Sequence, residues 1–245
     1  MTPRTGIRPL KAVTDGAKEL FRMIRTVSHF KDAAIFVGSR MLFVDGMNGV
    51  LVYAGVFAVG VMKWGALEML AYGILLSIFA VLGGFVGRWL DAGLGPRRAL
   101  QIEIFMSMLG LLAMLGMRPD LILFFWSYDA AAHAPIWGGP VFQHLPDWIF
   151  VLVGFSNAIF ITAQYASSRT LLTRLTPPDQ TGTFFGVYAL SGVATAWLAP
   201  TLVNQGTAIT GTQQGGFAML LVLLALGLAG LTFVKGGRRG ELSGS

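Results

Sequence analysis

Asp45 and Asn48 share one face of a helical turn inside RMLFVDGMNGVLVYAG (residues 40–55), a run with almost no other charge. A carboxylate in such surroundings is costly and is normally paired, hydrated or protonated. An unpaired one can carry a proton or face a polar solute; a paired one is a buried structural acceptor. Both roles stay open for Asp45. Arg40 begins the run, and five residues carry Asp45 about 7.5 Å along a helix and about 140° around it. The two do not face each other, so Asp45 needs a partner on another helix or in a water-filled cavity. Tyr53, Asn157 and Gln164 are further polar groups within apolar runs. They join Asp45 and Asn48 as candidates for a substrate or proton path.

Other chemistries find no footing. No nucleophile, base and orienting group form a set, so no catalytic residue is expected and the chain does not read as an enzyme. The glycine-rich stretches lack the Lys-Ser/Thr of a phosphate loop. There are no cysteines, which excludes disulfides and thiolate metal sites. His133 and His144, with Asp129 and Asp147 nearby, match no compact metal motif. No metal and no cofactor are expected.

The elements that hold the polar residues must lie in a bilayer. Charged residues are 12% of the 245-residue chain and hydrophobic ones 54%, with a mean hydropathy of +0.66. Soluble proteins carry about 25% charged residues. A spanning helix needs about 20 apolar residues. Six windows meet that need, at 41–62, 66–87, 100–117, 148–166, 184–205 and 215–234. The apolar patch LILFFW (121–126) either extends the short third window or lies in the interface.

The basic residues orient the bundle. Arg4, Arg8, Lys11, Lys18, Arg22, Arg25 and Lys31 precede the first window. Arg88, Arg97 and Arg98 mark the second connection, Arg169 and Arg174 the fourth, and Lys235, Arg238 and Arg239 the tail. Lys63 and Arg118 alone fall on the other side. Both termini are therefore expected in the cytoplasm, and the protein in the cytoplasmic membrane as a multi-pass protein. The pI of about 10.0 does not point to nucleic acid, because the basic residues sit at membrane boundaries. Residues 1–32 read as a cytoplasmic basic linker: in 8–31, Leu10, Val13, Ala17, Leu20, Phe21, Ile24 and Val27 recur at helical spacing between basic residues. This amphipathic helix is either a simple anchor or a site for a lipid or partner. Residues 33–235 form the transmembrane unit and 236–245 a cytoplasmic tail.

GGFVGRWLDAGLGPRR (83–98) gathers charge at the second connection. Gly83 and Gly87 form a small-xxx-small pair that lets another helix approach. Gly87, Arg88 and Asp91, then Gly95, Arg97 and Arg98, resemble the signature loop of the major facilitator superfamily; Ala92 and Gly93 stand where that loop has an Asp-Arg pair. The loop is either a switching latch or a simple positive-inside turn. Together with RMLFVDGMNGVLVYAG and SRTLLTRLTPPDQTGTFFGVYALSGVATAWLAP (168–200), the chain is similar to the autophagy-22-type (UMF1) permeases. The resemblance is to the second six-helix half of such a carrier. Val193 occupies a place that is usually basic there, and Gln164 lies beside the usual position of a Gln.

The resemblance implies an all-α membrane protein of six transmembrane helices, half of a major-facilitator fold. It implies a secondary transporter half that moves a small solute, such as amino acids, by alternating access, with proton coupling through a group such as Asp45. Its partners are the lipid bilayer, the solute, and either a separate N-terminal six-helix half or a second copy of the chain. A six-helix scaffold or assembly factor derived from a carrier is the alternative. Glu103 is expected to serve as counter-ion to Arg97 or Arg98. Arg169, ending the fourth window, either meets an anionic solute or reaches lipid phosphate.

Overall fold

A computed structural model describes residues 21–235. A helical segment at 21–28 leads into α1 (Lys31–Gly60), α2 (Ala66–Leu94) and α3 (Pro96–Leu115). A hairpin follows, with β1 (Leu121–Ile122) antiparallel to β2 (Trp126–Ser127). Then come α4 (Leu145–Leu175), a 3-10 turn at Pro178–Gln180, α5 (Thr181–Ser191), α6 (Leu198–Thr210) and α7 (Gln213–Thr232). The expectations for residues 1–20 and 236–245 lie outside the described residues. Of the linker's apolar stripe, Val27 is buried while Phe21 and Ile24 are exposed.

Among the described residues five helices, α1 to α4 and α7, are long and apolar enough to cross a membrane. The shortest have 20 residues, or about 30 Å at 1.5 Å each. The chain is thus a mostly helical, multi-pass membrane protein. The helices do not keep to the apolar windows: α1, α3 and α4 start ahead of theirs, at Lys31, Pro96 and Leu145, and α2 and α4 run past theirs, to Leu94 and Leu175. Arg40 does not begin a span but lies ten residues into α1, and Ser167, Ser168 and Arg169 continue α4 rather than end it. α4 stops at Thr176, ahead of Pro177 and Pro178, which cannot continue it. LILFFW extends no helix: it forms the hairpin, whose turn holds Leu123 and Phe124 at positive φ.

The window 184–205 departs most from expectation. It is not one helix but two, α5 and α6, of 11 and 13 residues, joined by turns at 192–197. Pro200 supplies a reason. Within a continuous helix its ring would strike the carbonyl of Ala196, and it has no N–H to donate. Starting α6 at Leu198 puts Pro200 in a first turn, where neither defect matters. The break stays internally bonded: Gly192 N–H reaches Ala189 O, Val193 reaches Leu190, Ala196 reaches Val193 and Leu198 reaches Thr195. These are three-residue steps in place of four.

The helices pack α2 on α4, α1 on α7, and α3 against α4 and α7. A Cβ on Gly83 would meet Ile159 O and the Thr162 side chain, and one on Gly87 would meet Ala163. The small-xxx-small pair therefore seats α4 on α2. Gly95 turns the chain at φ +80°, and Pro96 opens α3 directly after it. Phe57, Phe150 and Phe217 are buried together beside Trp64, the first two stacked with centroids 6.0 Å apart. At the end opposite the basic loop, Trp64 donates to Asp147 Oδ1 at 2.7 Å. The rest of α2 (Leu70, Ile74, Ile78, Phe85, Trp89) is exposed and apolar, as a lipid or helix neighbour requires.

Candidate functional site

Because the break shortens its hydrogen-bond steps, it strands backbone groups, two of which lie against α1. In a continuous helix Tyr188 O would accept from Gly192 N–H, which goes instead to Ala189 O. Ala199 N–H would donate to Thr195 O, which is taken by Leu198. Both stranded groups are claimed by α1. Arg40 Nη1 donates to Tyr188 O at 2.8 Å and to Ser191 Oγ at 2.6 Å. Asp45 Oδ2 accepts from Ala199 N–H at 2.7 Å.

The charges suit the ends they meet. A cation faces the negative C-terminal end of α5, and a carboxylate faces the positive N-terminal end of α6. Arg40 also lies 3.6 Å over the centroid of the Tyr188 ring, a cation–π contact. Both side chains are 5% exposed, so solvent screens neither. Between them Thr195 Oγ1 donates to Met41 O at 2.8 Å. Arg40 and Asp45 need not face each other, since each addresses a different half of the interrupted segment.

The other candidates divide between two places. Tyr165 on α4 donates its hydroxyl to Asn48 Oδ1 at 2.7 Å, next to the braced break. Tyr53 lines a cavity of about 260 Å³ with Asn204, Thr207 and Gln213. Asn157 and Gln164 lie elsewhere, buried between α3 and α4. Gln164 Nε2 donates to Ser107 Oγ at 2.7 Å and to Glu103 O at 3.3 Å. Asn157 reaches only Met114 Sδ, at 3.7 Å.

Glu103 overturns its expected role. It does not begin the third span as a counter-ion to Arg97 or Arg98; it is wholly buried and accepts from Ser167 Oγ at 2.8 Å. α3 starts earlier than hydropathy indicated, so Glu103 falls two turns inside it, facing α4. Arg97 instead donates to Thr232 O at the end of α7. In the loop, Arg88 and Arg98 are exposed, as is Arg169 on α4. Asp91 is half-buried, with Oδ1 enclosed and unpartnered.

Reasoning from sequence missed Tyr188, Ser191, Thr195 and Ala199 as the partners of α1. One signal was present: Gly192 and Pro200 bracket the break inside an apolar window.

A family model described as "Vacuole effluxer Atg22 like" matches residues 3–241. Autophagy-related protein 22-2 of Emericella nidulans is 24% identical, over 99% of this chain and 40% of the relative. The protein of the same name from Penicillium rubens is 25% identical, over 89% of this chain and 34% of its own length. Autophagy-related protein 22 of Vanderwaltozyma polyspora is 23% identical, over 92% and 40%. The chain thus spans about a third to two fifths of the length of these relatives. No solved structure matches it. Matched along almost all of its length, the chain belongs to the Atg22-like vacuole effluxers, a family of major-facilitator-type permeases.

Proposed function

We propose that this chain acts as the C-terminal half of a secondary transporter that moves a small solute, amino acids being the favoured class, by alternating access. The observation that carries the reading is the interrupted α5–α6 segment held at both stranded ends by Arg40 and Asp45. Non-helical backbone at membrane depth is tolerated where protein buries it or a cavity adjoins it. Tightened turns inside a helix often mark a hinge. Tilting α6 against α5 would exchange the Asp45–Ala199 bond for a contact with solute or a proton, which makes Asp45 the coupling group. The cavity beside Tyr53 and Gln213 adjoins that movement.

In this reading α5 and α6 together form a sixth, discontinuous span. Six passes put both termini on the cytosolic side, where most basic residues lie. That face is the same in the cytoplasmic membrane, which we favour, and in the vacuolar membrane that the family's description names. Asp91, half-buried in the loop, is the carboxylate that would meet a donor from the N-terminal half, which is supplied as a separate chain, as more of the same chain or by a second copy.

Two measurements test the proposal. Reporter fusions at residue 130 and at the C terminus should report opposite sides. Solute uptake should require both halves and be lost in Asp45→Asn. A single-chain particle that transports alone, with or without Asp45, overturns the half-carrier reading. A chain that never transports in either setting replaces it with the carrier-derived scaffold.

A further inference from the structure

We infer that the end of the bundle bearing the basic loop holds a binding site for a phosphate-type anion, as carried by an anionic lipid headgroup or by free phosphate. A cavity of about 350 Å³ opens there between the start of α3, the end of α4 and Lys235, three residues past the end of α7. Arg97, Arg98, Arg174 and Lys235 line it with Gln101 and Leu171, and none of the described residues that line it is acidic. Four cations drawn from three parts of the fold into one concavity repel each other unless an anion joins them. Their convergence is therefore more than the scattered basic residues of a membrane boundary require.

Local geometry aims these groups inward. Arg97 is fixed by its bond to Thr232 O, and its Nε is enclosed without an acceptor. The Arg174 guanidinium stands over the Gly95 turn, 3.8 Å from where a Cβ would be. That turn exposes the first residues of the 20-residue α3, which no side chain caps. Such an end offers free N–H groups and a positive dipole to an anion. The planar guanidinium forks of three arginines suit phosphate oxygens. Exposed Leu94 lines the cavity, and exposed Trp89 lies earlier on the same helix; apolar surface there gives acyl chains a place to lie, which favours a lipid as the carrier of the phosphate.

The test uses the full chain in neutral detergent, titrated separately with phosphatidic acid, phosphatidylcholine and inorganic phosphate, with binding read by native mass spectrometry. One phosphatidic acid per chain is expected, and no comparable binding of phosphatidylcholine. The double variant Arg98→Gln/Arg174→Gln should weaken binding about 100-fold, at about tenfold for each charge-assisted bond. Arg88→Gln, exposed near the same end but outside the cavity, should bind as the native chain does. Thermal midpoints of both variants should match the native one, since these side chains are exposed. Displacement of lipid by millimolar phosphate would support the site with the phosphate group alone as its ligand. Lipid binding indifferent to phosphate would support it with the headgroup in its membrane setting. No one-to-one complex, equal binding by the double variant, or equal loss in Arg88→Gln would overturn the site and leave these charges a role in topology alone.

Discussion

Where α1 meets the α5–α6 break, buried polar side chains serve the backbone: Arg40 takes a stranded carbonyl and Asp45 a stranded amide. Between α3 and α4 they serve one another: Gln164 bonds Ser107, and Ser167 bonds Glu103. The second cluster leaves Glu103 Oε2, Gln164 Oε1 and Asn157 Oδ1 buried and unpartnered. Both clusters lie in apolar helices, yet only the first is tied to an interruption in secondary structure. Interhelical hydrogen bonds of the second kind contribute little in membranes, about 0.6 kcal/mol on average. A side chain that replaces a missing helical bond unaided, as Asp45 does at Ala199 N–H, has no such alternative, because its loss orphans a main-chain group. The first cluster should therefore govern both stability and movement, and the second should act as modest glue.

Asp45→Ala should have the largest effect. It orphans a buried amide and removes a charged acceptor, at a cost of about 2–3 kcal/mol. Thermal unfolding in detergent should show that loss, and uptake by the complete carrier should vanish. Asp45→Asn keeps an acceptor oxygen, so it should recover about half of the stability but none of the uptake. Full stability in Asp45→Ala would erase the distinction between the clusters.

Arg40→Met comes next, at about 1–2 kcal/mol. The loss is smaller because Ser191 Oγ also donates to Tyr188 O, at 2.8 Å. A double-mutant cycle with Ser191→Ala sharpens the point. The pair should lose more than the sum of the single variants, by about 0.5–1 kcal/mol, since only together do they strand the carbonyl. Strict additivity would mean that Tyr188 O finds another donor.

How much of this was legible in the sequence follows from the range of each interaction. Five of the six windows rise to spanning helices because hydropathy is a local property. The window 184–205 was misread as one continuous helix, although Gly192 and Pro200 stood in it, because an apolar window hides a change in hydrogen-bond step. The geometry of Asp45 relative to Arg40 could be worked out from helical spacing. The partner could not: Ala199 lies 154 residues away and contributes a backbone amide, which leaves no trace in residue type. Glu103 was misplaced because the start of α3 is set by the Gly95-Pro96 turn, not by where the apolar residues begin.

Gln164→Leu probes the second cluster. It deletes the bonds to Ser107 and to Glu103 O but also removes an unpartnered carbonyl oxygen, and a side chain of similar bulk fills the space. The net change should stay within about 1 kcal/mol, read from the same unfolding transition, with uptake retained. A loss as large as that of Asp45→Ala would show that the α3–α4 cluster carries structural weight equal to the break.

Glu103→Gln should have the smallest effect. The amide keeps an oxygen to accept from Ser167, and its NH₂ occupies the position where the second carboxylate oxygen now lacks a partner. No cation among its hydrogen-bond partners is lost, because Ser167 is a hydroxyl donor. Stability should change by no more than about 0.5 kcal/mol, and uptake should be near native. The informative measurement is proton-driven uptake set beside solute exchange, which needs no net proton movement. If Glu103→Gln abolished the first while sparing the second, the coupling proton would travel between α3 and α4. Asp45 would then be left with its structural part, bracing the start of α6. Retention of both activities, against their loss in Asp45→Asn, keeps the moving chemistry at the one place where the helix is interrupted and its stranded groups are held by charge.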